Sequence, residues 1–143
     1  MKLNQKQIRE ILDHRYPFLF VDKILSMDEK SAIGIKNVSA TDPYLVGHFP
    51  DNPIYPGVLL IESCSQVGGL LFTNYYTGRG FLAQIKNFKF LKFIEPGDTI
   101  IIETHFLSKL GNFAQIESVA KVDNQVVGKG EIFYTFIDNI KVK

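Results

Sequence analysis

The sequence predicts an α+β domain in which a curved antiparallel sheet wraps around one central buried helix, and three observations lead there. First, between Pro53 and Gly78 the only formally charged side chain is Glu62, inside a run over residues 58–72 that is apolar or small on every face. Such a run reads as a helix buried all round rather than an amphipathic surface helix. Second, beyond Gly80 the pattern becomes β-rich, with segments at 81–90, 99–107, 113–122 and 126–136 separated by EPGD at 95–98, KLGN at 109–112 and DNQ at 123–125. Four strands with short turns predict an antiparallel meander. Third, apolar-rich segments at 18–25 and 32–38, joined near Asp28, Glu29 and Lys30, have hairpin proportions.

The remaining elements follow in order. Ile8, Ile11 and Leu12 fall at helical spacing after a possible Asn4 cap, which predicts a short flanking helix over 4–13. Residues 42–56 form a loop punctuated by Pro50, Pro53 and Pro56. Pro56 and Gly57 stand just ahead of the buried helix, where a proline costs nothing because the first helical amides lack an intrahelical partner. That helix is expected to run to about residue 76, closed by Gly78 and Gly80. With no repeat, low-complexity tract or linker, residues 1–143 read as one domain.

Composition narrows the function. The chain is 45% apolar and 22% charged, ordinary for a globular domain, and its net charge of +1 offers no broad basic field for nucleic acid or membrane. Glu62, Ser63, Ser65, Gln66 and a glycine pair interrupt the longest apolar stretch, which falls short of the roughly 18 residues a membrane span needs. Cys64, the single cysteine, has no intrachain partner; with no signal-like segment this points to a reducing cytoplasm, and its place in the buried helix to an inert packed thiol. No HExxH, CxxC, GxGxxG or P-loop pattern occurs, so neither metal nor nucleotide is expected.

A lone carboxylate in an apolar helix is costly unless something uses it, and His48 lies fourteen residues ahead of it in a loop able to fold toward the helix start. One imidazole and one carboxyl beside a helix N-terminus suffice for acid–base chemistry on a polarised carbonyl. Pro56 has no amide to offer, so Gly57, and next Val58, are the candidate donors to an oxyanion. Gln66 lies one turn beyond Glu62 on the same face and is placed to hold its carboxyl or a water. His14 and His105 show no chemical partner in the sequence and are assigned no ligand role.

Three stretches then point to a family: HRYPFLFVDKIL at 14–25, KNVSATDPYLVGHFPDNPIYPGVLLIESCSQVGG at 36–69, and the PGD turn at 96–98. Together they resemble the FabZ-type (3R)-hydroxyacyl-acyl carrier protein dehydratases of the hotdog fold, over nearly the whole chain. The related dehydratase-isomerases have Asp where Glu62 stands and longer chains, so the resemblance implies a dehydratase without isomerase activity. It implies a homodimer paired edge to edge, often a trimer of dimers, with His48 of one subunit and Glu62 of the other in each site. It also implies an acyl carrier protein as partner and a redox-neutral, cofactor-free reaction. The sequence departs from the family pattern before the PGD turn, with Leu91 where a base is common and Phe93 where a proline is expected. That departure bears on the acyl tunnel and carrier docking rather than on the acid–base pair.

Dehydration of a 3-hydroxyacyl thioester needs a base at C2, an acid for the C3 hydroxyl and donors for the thioester oxygen. His48 fits the first role. Glu62, a carboxyl among apolar side chains, fits the second, and Gly57 with Val58 the third. Phe81, Phe88 and Phe90 are candidates to line the acyl tunnel, with core packing the alternative for each, and Lys86, Lys89 and Lys92 either meet an acidic carrier or are solvated strand lysines. A non-catalytic acyl-binding subunit would lack His48 or Glu62, and a thioesterase would not be expected to pair GHFP with PGVLLIE.

Overall fold

The computed structural model describes residues 1–73, 75–76 and 78–137. Its first element is a capped helix, α1 (Gln5–Ile11). The Asn4 side chain accepts the Gln7 amide at 3.0 Å while the Gln7 side chain accepts the Asn4 amide at 2.9 Å, which closes a capping box. Leu12 is extended, so α1 is shorter than the 4–13 expected, and it anchors through the fully buried Ile8.

Strands β1 (Lys23–Met27) and β2 (Ser31–Asn37) form the expected hairpin. The Asp28 carboxylate closes its turn by accepting the Lys30 and Ser31 amides, and those bonds hold its pKa below the usual carboxylate value. The strand expected from residue 18 begins only at Lys23. Side chains claim the earlier backbone: Gln66 bonds Phe18 and Phe20, and Gln5 bonds Val21 and Asp22.

Helix α2 (Gly57–Gly69) follows the loop and tightens into a 3-10 turn over Leu70–Phe72. It ends earlier than the sequence pattern predicts because the Leu70 amide turns to the Gly68 and Val67 carbonyls. From Leu60 to Val67 its core-facing side chains are buried, while Val58, in the first turn, is 73% exposed. The helix is therefore enclosed along its length and open at its start.

Four long strands complete the sheet: β3 (Arg79–Phe90), β4 (Thr99–Leu110), β5 (Phe113–Val122) and β6 (Gln125–Ile137). All six pair antiparallel in the order β1-β2-β4-β5-β6-β3. The four do not form one meander as the sequence reading has it. β3 pairs with β6 at the far edge, and residues 91–98 cross back to β4; the expected turn at 95–98 forms within this crossing, closed by the Asp98 amide on the Glu95 carbonyl at 3.1 Å. The crossing segment is fixed by bonds from the Tyr55 amide to Ile94 and between Val38 and residues Gly97 and Asp98. Of these four strands, β4–β5 and β5–β6 form tight hairpins, the second turning on Asp123 and Asn124, both at positive φ.

The sheet's inner face packs on α2 through Ile100, Ile102, Ile116 and Ile132, all fully buried. The approach is close enough that a Cβ on Gly68 would collide with Ile116 and come within 2.8 Å of the Tyr134 hydroxyl, which itself donates to the Ser65 carbonyl at 2.6 Å. Each large apolar side chain buried here contributes about 1.5–3 kcal/mol.

Candidate active site

The loop at 47–54 is folded on itself by backbone bonds. Phe49 and Asn52 exchange amide-to-carbonyl bonds at 3.2 and 3.1 Å, the His48 amide reaches the Leu45 carbonyl at 3.2 Å, and the Ile54 amide reaches the His48 carbonyl at 2.7 Å. The His48 ring then lies with Nδ1 2.8 Å from the Ile54 carbonyl oxygen. A carbonyl can only accept, so Nδ1 carries the proton and Nε2 presents a lone pair. The ring stacks on Phe49 with centroids 4.4 Å apart.

At the start of α2 the Leu59 and Leu60 amides both turn back to the Pro56 carbonyl at 3.0 Å. The Gly57 and Val58 amides precede that first bond and have no acceptor among the described residues. The Phe90 ring covers Gly57 so closely that a Cβ would stand 2.9 Å from it. Behind them Tyr55 is pinned by its amide to Ile94 and by a 2.7 Å bond between its hydroxyl and Ser63 Oγ, which in turn donates to the Leu59 carbonyl at 2.6 Å. Burial raises the Tyr55 phenol well above its ordinary range, so it stays a neutral hydrogen-bonding group.

One turn further, Gln66 is buried and uses its whole amide. Its Oε1 accepts the Phe20 amide at 2.8 Å, and its Nε2 donates to the Phe18 carbonyl and to Glu62 Oε2, both at 2.9 Å. The Glu62 side chain is 15% exposed and opens onto a crevice of about 960 Å³, lined by His14, Phe18, Gln66, Phe72, Tyr134 and Phe136 among others. The lining combines the Glu62 carboxyl and other charged groups, Glu10, Asp13 and Arg79, with aromatic side chains.

Sequence comparison places this geometry in a family. A FabA-like domain is matched over residues 12–135. The chain is 44% identical to the 3-hydroxyacyl-acyl-carrier-protein dehydratase FabZ of Caldicellulosiruptor bescii, over 92% of this chain and 96% of that protein. It is 41% identical to the FabZ of Caldanaerobacter subterraneus, over 95% and 99%. The chain belongs to the FabZ dehydratase family.

Solved structures carry the likeness at the level of fold. The dehydratase heterocomplex ApeI:P from Xenorhabdus doucetiae superposes with a TM-score of 0.81 at 15% identity, over 94% of this chain and 93% of that one. A hypothetical thioesterase with coenzyme A from Streptococcus pneumoniae gives 0.65 at 15% identity, over 80% and 84%. The sheet-wrapped helix is thus the hotdog fold.

Within this FabZ-family chain the site residues divide into two groups. Glu62 and Gln66 are brought together, with Gly57 and Val58 at the open start of the same helix. His48 stands apart: among the described residues it neither pairs with Glu62 nor lines the Glu62 crevice. Of the three phenylalanines proposed for a tunnel, only Phe81 lines that crevice; Phe88 packs over Gly128 and Gly130, and Phe90 over Gly57. Leu91 and Phe93, where the chain departs from the family pattern, are exposed apolar side chains. Cys64 is fully buried and its thiol is pushed up to about 12, as an inert packed cysteine should be.

His14 corrects the sequence reading, which left it without a chemical partner. Its Nε2 lies 3.5 Å from Glu62 Oε2. Arg15 explains the placement: it bonds the Arg9, Leu12 and His14 carbonyls, turning the chain back at the end of α1, while Gln66 tethers Phe18 just beyond. No periodicity connects residue 14 with residue 62, so the contact had no signature beyond the presence of His14 in the HRYPF stretch. His105, by contrast, sits exposed on β4 opposite Ser31 and Glu117.

Proposed function

We propose that His48 and Glu62 carry out the dehydration of a (3R)-3-hydroxyacyl group borne on acyl carrier protein, giving the trans-2-enoyl thioester in fatty acid or related acyl-chain synthesis. The protein is a hydro-lyase of the FabZ family. The observation that supports these roles best is the Glu62 carboxyl at the crevice wall, with one oxygen held by Gln66 and unpaired amides one turn away.

The steps follow from the groups present. His48 Nε2, free because Nδ1 is engaged by Ile54, takes the proton from C2. The Gly57 and Val58 amides, at the positive end of α2, hold the charge that develops on the thioester oxygen. Glu62 gives its proton to the C3 hydroxyl, which leaves as water. Gln66 keeps the carboxyl aimed throughout.

A second copy of the chain brings the two groups together in this reading. β3 is twelve residues long, its outer edge has no strand partner among the described residues, and Phe81, Leu82, Ile85 and Phe90 are 40–52% exposed. A long apolar edge invites pairing with another strand, and a homodimer joined there carries His48 of one subunit toward Glu62 of the next. The trimer of dimers is the larger assembly proposed for it. For the carrier protein, Lys86, Lys89 and Lys92 are exposed on and just after β3, and Lys89 faces Lys129 across the ladder, a like-charge pair that an acidic partner would relieve. No helix among the described residues is long and apolar enough to cross a membrane. The unpaired buried Cys64 fits a cytoplasmic location.

The test is spectroscopic. Purified protein should hydrate a trans-2-enoyl thioester reversibly, seen as loss of its conjugated ultraviolet absorbance. Release of free thiol without hydration would replace this reading with thioester hydrolysis.

A further inference from the structure

The Glu62 carboxyl is approached from two sides, and only one of them is part of the acid–base scheme above. Gln66 donates to Oε2 at 2.9 Å, and its own orientation is settled because the Phe20 amide meets its oxygen and the Phe18 carbonyl meets its nitrogen. From the other side His14 Nε2 stands 3.5 Å from the same oxygen. His14 Nδ1 is buried and has no hydrogen-bond partner among the described residues. A neutral imidazole carries one N–H, and burying it against nothing costs more than leaving a lone pair unused. The proton therefore sits on Nε2, facing Glu62, and the ring is steadied by its stack on Phe18 with centroids 6.4 Å apart.

Oε2 thus accepts the Gln66 hydrogen bond and has the His14 nitrogen 3.5 Å away, whereas Oε1 has no hydrogen bond among the described residues. In a protonated carboxyl the carbonyl oxygen is the stronger acceptor and the other oxygen holds the hydrogen. We propose that His14 is a positioning residue that, with Gln66, makes Oε2 the carbonyl oxygen of Glu62 and so keeps the transferable proton on Oε1. The inference rests on the dehydratase reading and deepens it. When the Oε1–H bond breaks, its proton goes to the C3 hydroxyl, the C3–O bond breaks and water leaves. The electron pair from the C2–H bond becomes the C2–C3 double bond, and the C2 proton stays on His48. Exchange with solvent then returns one proton to Glu62 and removes one from His48. Without His14 only the Gln66 N–H marks Oε2 as the carbonyl oxygen, and the preference for the proton on Oε1 is weaker.

The experiment measures kcat and KM for enoyl-thioester hydration with wild-type protein, His14→Phe, His14→Gln, Glu62→Gln and the double variant His14→Phe/Glu62→Gln. His14→Phe keeps a ring on Phe18 but has no N–H; His14→Leu makes the same test if the Phe variant fails to fold. The expected result is a kcat lowered about tenfold or more in His14→Phe with KM within about twofold, recovery of most of kcat in His14→Gln, whose amide N–H reaches the position of Nε2, and no further loss when His14→Phe is added to Glu62→Gln. Wild-type kcat in His14→Phe and His14→Leu, failure of His14→Gln to recover, or losses that multiply in the double variant would overturn the role of His14 while leaving the dehydratase reading in place. A wild-type protein with no hydration activity would instead remove the dehydratase reading, and this inference with it.

Discussion

The loop that presents His48 and the helix that presents Glu62 are built by opposite means. The loop is held by its own backbone: Phe49 with Asn52, His48 with Leu45, and Ile54 with His48 through both the main chain and the ring. Most of its side chains, including Val46, Phe49 and Asp51, are exposed. Helix α2 is held by side chains: Tyr55 on Ser63, Gln66 on Glu62 and on residues 18–20, Tyr134 on Ser65, and an apolar face against four strands. His48, the proposed base, is thus placed by local backbone bonds, and Glu62, the proposed acid, by long-range packing.

Substitutions should expose that contrast. The largest effect belongs to the reacting groups, where construction does not matter: His48→Ala and Glu62→Gln should each lower kcat about 10²–10⁴-fold in the hydration assay while leaving the thermal melt close to wild type. Next comes packing behind the acid. Gly68→Ala drives a methyl into Ile116 and the Tyr134 hydroxyl and should cost about 1–3 kcal/mol by denaturant titration. The same helix should resist thiol chemistry. Desolvation pushes Cys64 up to about 12, so at pH 8 almost none is thiolate, and labelling by a disulfide reagent should follow global unfolding, not precede it. The smallest effect is expected in the loop: Asp51→Ala, exposed and outside the backbone bonds described, should shift stability by no more than about 0.5 kcal/mol. A destabilisation as large as that of Gly68→Ala would erase the distinction.

How much of this was legible in the sequence follows the same division. The buried helix, the hairpin before it and the long strands after it could be read because each has a local period or a turn signal, as at Asp28 or Asp123 with Asn124. The partner of β3 could not. Residues 95–98 do form the tight turn their sequence suggests, yet it does not return the chain beside β3, because Ile94 accepts from Tyr55 and residues 97–98 bond Val38, and those tertiary bonds have no local mark. Likewise Glu62 with Gln66 was visible as helical spacing, and the unpaired Gly57 amide as a consequence of Pro56. His14 reaching Glu62 was not, since it depends on Arg15 reversing the chain and on Gln66 gripping residues 18–20.

Among the described residues of one chain His48 and Glu62 are not joined, and the proposed mechanism therefore has two copies share them. Mixing decides it. His48→Ala and Glu62→Gln, each inactive alone, are unfolded together, refolded and assayed. A dimer that takes one group from each subunit regains one intact site in each mixed pair, and about one quarter of wild-type activity should return. No recovery above the single variants, with mixed dimers shown to form by mass spectrometry, would contradict the shared site.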